Sequence, residues 1–167
     1  MRFHRIPIRA TALSGGTGLN VLFLILLLLF SCSVGKEFKD KFEEHISDSD
    51  SILFDGDNLH PTYAYIKNRH LIGIESIHNP ECGKVFRRYF INQNEKIEKI
   101  IYEIDFYDDH CGVTFDSVYV IEPTNGTVKV YTETTNGKLI NNVALVENEL
   151  AYFDKFKKSV KDWKRKK

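Results

Sequence analysis

The sequence predicts an α+β, mainly β fold: an antiparallel meander of about six to seven strands, preceded by a short helix and followed by a longer amphipathic one. Three observations carry this. Beyond Pro61, runs of β-branched and aromatic residues alternate with turn formers at a spacing of about 12 to 15 residues, as in all-β meanders. Asn125-Gly126 and Asn136-Gly137 fall between such runs, and these residue types tolerate the positive φ of a tight hairpin. From Val146 onward the apolar period changes to three and four, the repeat of a helix with one apolar side.

The first helix is predicted within Ser33 to Ser51, where Phe38, Phe42 and Ile46 recur at i, i+4 and i+8 among lysines and glutamates. Its aromatic stripe is expected to pack on the domain. Asp48-Ser49-Asp50-Ser51 and Asp55-Gly56-Asp57-Asn58 offer oxygen ligands of the kind calcium takes. They lack the spacing and the closing glutamate of a calcium loop, so they read as linker and turn. Strands are predicted over Thr62 to Ile66, His70 to Ile77, Val85 to Ile91, Ile97 to Tyr107, Val113 to Ile121, Thr127 to Glu133 and Lys138 to Leu145. In the fourth, Ile100, Tyr102, Ile104 and Phe106 share one face, which is expected to be core. Lys99, Glu103 and Asp105 occupy the other face and, like Glu75, are expected to meet solvent. Val113, Phe115, Tyr119 and Ile121, then Val128 and Val130, continue the core face.

The last helix places Val146, Leu150, Phe153, Phe156, Val160 and Trp163 on one side. Eight basic residues between Lys155 and Lys167 face only Asp154 and Asp162. A basic amphipathic helix suits an anionic membrane surface. The preferred expectation is that the stripe covers one face of the sheet while the lysines stay in water and favour the negative end of the helix.

Ahead of all this stands a leader. Arg2, Arg5 and Arg9 precede the apolar run Val21 to Phe30, and the first acidic residue is Glu37. Basic start, apolar middle and small residues after it make the order of a signal peptide. The run is too short for a permanent span, which needs about 20 apolar residues. Leu29, Ser31 and Cys32 resemble the bacterial lipoprotein signal, in which a leucine three residues before a cysteine and a small residue just before it mark the cleavage site. Phe30 departs from that pattern, where a smaller residue is commoner, and the resemblance covers residues 1–32 alone. It implies cleavage between Ser31 and Cys32, acyl chains on Cys32, and anchorage to a membrane through that residue. Ser33 lacks the aspartate that favours inner-membrane retention in this family, which implies the outer membrane.

Losing three arginines from 23 basic residues leaves 20 against 23 acidic ones, a net charge of −3. That excludes the basic field of a nucleic-acid binder, and no nucleic-acid partner is expected. The expected organisation is a signal peptide over residues 1–31, an acylated N-terminus and tether over 32–51, and a single β-rich domain with its C-terminal helix over 52–167.

Chemistry is expected where alternate turns of a meander gather at one end of the sheet. The loop from His78 to Lys84 and the loop from Asp108 to Gly112 would then be neighbours, each with a cysteine. A Cys82–Cys111 disulfide is geometrically reasonable and fits an oxidising compartment. The rival is a zinc site of His78, Cys82, His110 and Cys111, whose ligand types are right but whose spacing matches no strong zinc motif. No Gly-x-Ser-x-Gly elbow, His-Glu-x-x-His or glycine-rich phosphate loop occurs in the mature chain. Phe86, Tyr89 and Phe90 around Arg87-Arg88, with Tyr63 and Tyr65, offer a binding surface, but strands buried on both sides show the same mixture, and core packing is the preferred expectation. The expected role is a non-catalytic binding or protective module of the envelope, with no cofactor and with an envelope protein as partner. The alternative is a metal-dependent or hydrolytic enzyme using the His78/Cys82 and His110/Cys111 loops.

Overall fold

The computed structural model describes residues 34–108, 110 and 115–166. The leader, Ser31, Cys32 and Cys111 lie outside them, as do the first residues of the strand expected from Val113. In chain order the elements are α1 (Val34–His45), β1 (Asp50–Asp55), β2 (Thr62–Lys67), β3 (His70–His78), β4 (Gly83–Ile91), β5 (Ile97–Phe106), β6 (Phe115–Glu122), β7 (Thr127–Thr132), β8 (Thr135–Ile140) and α2 (Val143–Lys166). The eight strands form one antiparallel meander in sequence order, an open sheet from β1 to β8.

One cross-strand row shows why the sheet holds together. Ile52, Ala64, Ile74, Tyr89, Ile100, Ile121, Val128 and Ile140 are consecutive partners across all eight strands. The six inner members are fully buried. They meet Phe153, Phe156 and Val160 of α2, so the helix covers this face with the apolar stripe read from its period. Each such buried aliphatic side chain contributes roughly 1.5–3 kcal/mol. The 24 residues of α2 make a rod of about 36 Å. Its Glu149 sits over β4 and its Phe156 reaches Phe54 of β1, so it crosses the sheet obliquely.

The opposite face is also covered, which the single core face read from β5 did not foresee. Phe38 and Phe42 of α1 pack with Phe90, Ile101, Val118 and Val120, and Ile46, Tyr65 and Tyr131 join them. Phe42 meets Tyr65 and Phe90 edge to face, at ring separations of 5.7 and 5.2 Å. Gly73 of β3 lets the helix in: a Cβ there would lie 2.8 Å from Ile46 Cγ2 and 3.3 Å from the Phe42 ring.

Two local readings are corrected. An eighth strand, β1, precedes those expected, because only Ile52 and Phe54 of its six residues turn inward while acidic and serine residues at its start read as linker. Asn136-Gly137 is not the tip of the last hairpin. Thr132 pairs with Thr135, so the turn falls at Glu133-Thr134, and Gly137, at φ +68°, lies within a register irregularity of β8 beside the Tyr131 ring. The strand therefore begins three residues earlier than expected and ends at Ile140, ahead of α2. Asn125-Gly126 does close the β6–β7 hairpin, with Gly126 at φ +62°. A further tight turn, Asn68-Arg69, has both φ values positive, at 50° and 67°, as a two-residue hairpin demands.

Candidate functional site

Arg87 and Arg88 are consecutive on β4 and therefore point to opposite faces of the sheet. Both faces are covered, so each guanidinium must find its partners inside the protein. Arg88, 2% exposed, lies between two carboxylates on the α1 face: its Nε donates to Glu75 Oε1 at 2.8 Å and its Nη1 to Glu103 Oε2 at 2.6 Å. The Phe86 ring lies 4.8 Å from its guanidinium carbon. Tyr65 donates its hydroxyl to Glu75 Oε2 at 3.2 Å, and burial first, then Glu75, push that hydroxyl's pKa upward. Glu103 is also where α1 begins, since a Cβ on Gly35 would fall 2.5 Å from Glu103 Oε1. The reading of Glu75 and Glu103 as solvent-facing is thus overturned: they neutralise an arginine that α1 helps to seal from water.

On the α2 face, Arg87 Nε donates to Glu149 Oε1 at 3.0 Å and Tyr89 donates its hydroxyl to Glu149 Oε2 at 2.9 Å. Glu149 is 1% exposed. The Arg87 guanidinium carbon is 4.7 Å from the Tyr102 ring and 4.7 Å from the Tyr152 ring, so it is held between a neighbouring strand and the helix. Burial works against its charge, but Glu149 and the surrounding tyrosines outweigh it and hold the pKa above the usual guanidinium value. Sequence reasoning flagged the arginines and missed Glu149, whose single signal was an acid placed among the apolar positions Val146, Leu150 and Phe153 of its helix.

Tyr89 makes the α2 pin sensitive to alkali. Burial first, then Glu149, raise its pKa far above the ordinary value of 10.0. Above pH 10 the unfolded chain loses this proton while the folded chain keeps it. The unfolded state then binds fewer protons, and stability falls as pH rises, by about 1.4 kcal/mol per pH unit for this one group. Urea unfolding at a series of pH values from 10 to 12 is expected to show stability falling with pH at least this steeply, because Tyr65 and Tyr102 are shifted the same way, and Tyr89→Phe is expected to make the slope shallower.

The sequence-predicted chemistry collects at the end of the sheet that carries Cys82. There the β1–β2, β3–β4 and β5–β6 connections are tied into one rim. Asn79 donates its amide N–H to His60 Nδ1 at 3.1 Å and its side-chain amide to the Leu59 carbonyl. Tyr107 and Asp108 donate their N–H groups to the Cys82 carbonyl at 3.1 and 3.2 Å. The described start of the second loop, Asp108, therefore meets the first loop at Cys82. Cys82 is disulfide-bonded, so its sulfur is not the thiolate that zinc takes. His78 stacks on His60 with ring centres 4.4 Å apart, and His110 accompanies Asp108, its Nδ1 3.0 Å from Asp108 Oδ1. Among the described residues no three His, Cys, Asp or Glu side chains converge as metal ligands. Asp57 turns its carboxylate onto the N–H groups of His60 and Leu59, which lowers its pKa and makes this segment the turn its composition suggested.

The other end of the sheet holds an open cleft of about 530 Å³ between the end of α1 and the β4–β5 turn, lined by His45, Lys67, Ile72, Ile91, Asn92 and Glu98 among others. Two of its polar groups have partners: His45 Nε2 donates to the Ile72 carbonyl at 2.8 Å and Lys67 Nζ to the Ser47 carbonyl at 3.0 Å. No protein family, curated protein or solved structure matches the chain.

Proposed function

We propose that the chain is a lipid-anchored protein of the bacterial envelope, a non-catalytic binding or protective module held to the outer membrane through acyl chains on Cys32. The single observation that carries this reading is the disulfide at Cys82, a bond that persists in oxidising compartments and agrees with a leader that exports the chain. Cys111 is the proposed partner. It lies three residues beyond Asp108, whose N–H bonds the Cys82 carbonyl, and Cys32 is assigned to lipid. Two or three acyl chains give stable anchorage where one gives marginal binding, because each buried methylene contributes about 0.8 kcal/mol. The buried arginine clusters support a rigid scaffold role for both faces, which leaves the loops and strand edges to meet an envelope partner.

The test is Cys32→Ser in the full chain, expressed in a bacterial host fed a clickable fatty acid. The parent protein is expected in the membrane fraction with label, and the variant without label. A parent protein that takes up no label and leaves with the soluble fraction overturns the reading.

A further inference from the structure

An open meander leaves two strands with one neighbour each. Among the described residues β1 pairs with β2 alone and β8 with β7 alone, so each presents an outer row of backbone N–H and C=O groups of the kind that adds a further strand. The row from Ile52 to Ile140 shows what that strand must look like. Its six inner members are fully buried, while Ile52 and Ile140 at its ends are half-buried. Pairs along such a row alternate between hydrogen-bonded and non-hydrogen-bonded. The first pair, Ile52 with Ala64, and the seventh, Val128 with Ile140, are therefore of one type, and an eighth pair between Ile140 and Ile52 of another copy is of the other type, as a continuous sheet requires.

The flanking residues match in that register. Leu53 and Leu139 are 48% and 62% exposed, one on each edge strand. Each adjoins an end of the row and so points to the opposite side, the α1 face, where the apolar cluster under α1 runs from Tyr65 on β2 to Tyr131 on β7 and stops short of both edges. With Ile140 against Ile52 of the next copy, Leu139 meets Leu53 and Asn141 meets Ser51. One step the other way, Lys138 comes beside the irregularity of β1, where the register passes from Leu53 to Asp55; Asp55 pairs with Thr62 there, on the α2 face that Lys138 shares. A shift of two residues in either direction sets Leu53 against Asn141 or Gly137, and a shift of one turns the faces over. Charge points to unlike edges. β1 carries Asp50 and Asp55 and no base, and β8 carries Lys138 and no acid, so joining like edges gathers like charges while β8 against β1 gives Lys138 an acid.

We infer that copies of this chain associate head to tail, β8 of one pairing antiparallel with β1 of the next so that Ile140 meets Ile52, Leu139 meets Leu53 and Lys138 meets Asp55. The contact joins two different surfaces and so repeats, closing a ring or extending a filament according to the angle between successive copies. Both covered faces stay on their own sides. Pairing of this kind is independent of acylation at Cys32. The strand edges then serve self-association, and the loops remain for an envelope partner.

The experiment follows the full-length protein in detergent by sedimentation velocity from about 10 μM to about 1 mM, because a single strand pair lies at the weak end of protein interfaces. The parent is expected to form multimers that grow with concentration. Asp55→Lys and Lys138→Asp, both at exposed positions, are each expected to weaken association by at least about tenfold, and the two together in one chain to restore it, because the exchanged charges meet again between copies. The register is read by cross-linking with a short bismaleimide in a Cys32→Ser background. A mixture of Leu53→Cys and Leu139→Cys chains is expected to give a dimer band that neither gives alone. A parent that stays monomeric throughout, single reversals without effect, a double reversal that fails to restore association, or a cross-link formed as well by one variant alone as by the mixture overturns the pairing.

Discussion

Arg88→Ala is expected to lower the unfolding free energy by about 3–5 kcal/mol, the range seen when one partner of a buried ion pair is removed. The loss comes less from the missing bonds than from what remains: Glu75 and Glu103, with side chains 16% and 15% exposed, would share the vacated space as like charges beneath α1. Arg88→Lys is expected to recover part of this, because an ammonium supplies charge but not the planar fork that reaches both carboxylates, nor the contact with Phe86. Arg88→Met combined with Glu75→Gln and Glu103→Gln is expected to recover most of it, since the desolvated charges leave together. Urea denaturation midpoints of the variants measure this. An Arg88→Ala protein as stable as its parent would show that the cluster contributes nothing to the fold.

Cys82→Ser is the second large effect. The loop that the proposed bond to Cys111 closes holds about 30 residues, and in the chain-entropy model its release costs roughly 3–4 kcal/mol. The expected result is a lower urea midpoint for Cys82→Ser and Cys111→Ser alike, with the double variant no worse than either. A reduced parent protein that unfolds at the same midpoint as the oxidised one would contradict it.

Some of this was legible in the residues and some was not, for physical reasons. The parity of a meander placed the His78 to Lys84 and Asp108 to Gly112 loops at one end, because antiparallel strands return alternate turns to the same side. The period of α2 placed its stripe on a sheet face. What the alternation in β5 hid was the second core: Ile100, Tyr102 and Ile104 gave the pattern of a sheet with one wet face, while Ile101 was a lone exception among Lys99, Glu103 and Asp105. Val118 and Val120 on β6 were the missing corroboration, since two aliphatics on the supposed outer face imply a cover. Once both faces are covered, charged residues on the second face need internal partners, and the arginine between two glutamates follows. Glu149 could not be paired with Arg87 from sequence, because 62 residues separate them and only the oblique path of α2 brings them together. Asn136-Gly137 misled for a related reason: glycine there admits the Tyr131 ring rather than a hairpin tip. The cleft gave no signal, because its residues come from α1, β2, β3, β4, β5 and the β4–β5 turn and meet only in the fold.

The most direct measurement is the intact mass of the protein taken from its native host. The mass should be that of a chain beginning at Cys32, increased by a diacylglycerol and an acyl group and lowered by the two hydrogens of one disulfide. A chain that retains residues 1–31, or one that starts elsewhere and bears no lipid on that sulfur, would contradict the envelope role proposed for this fold.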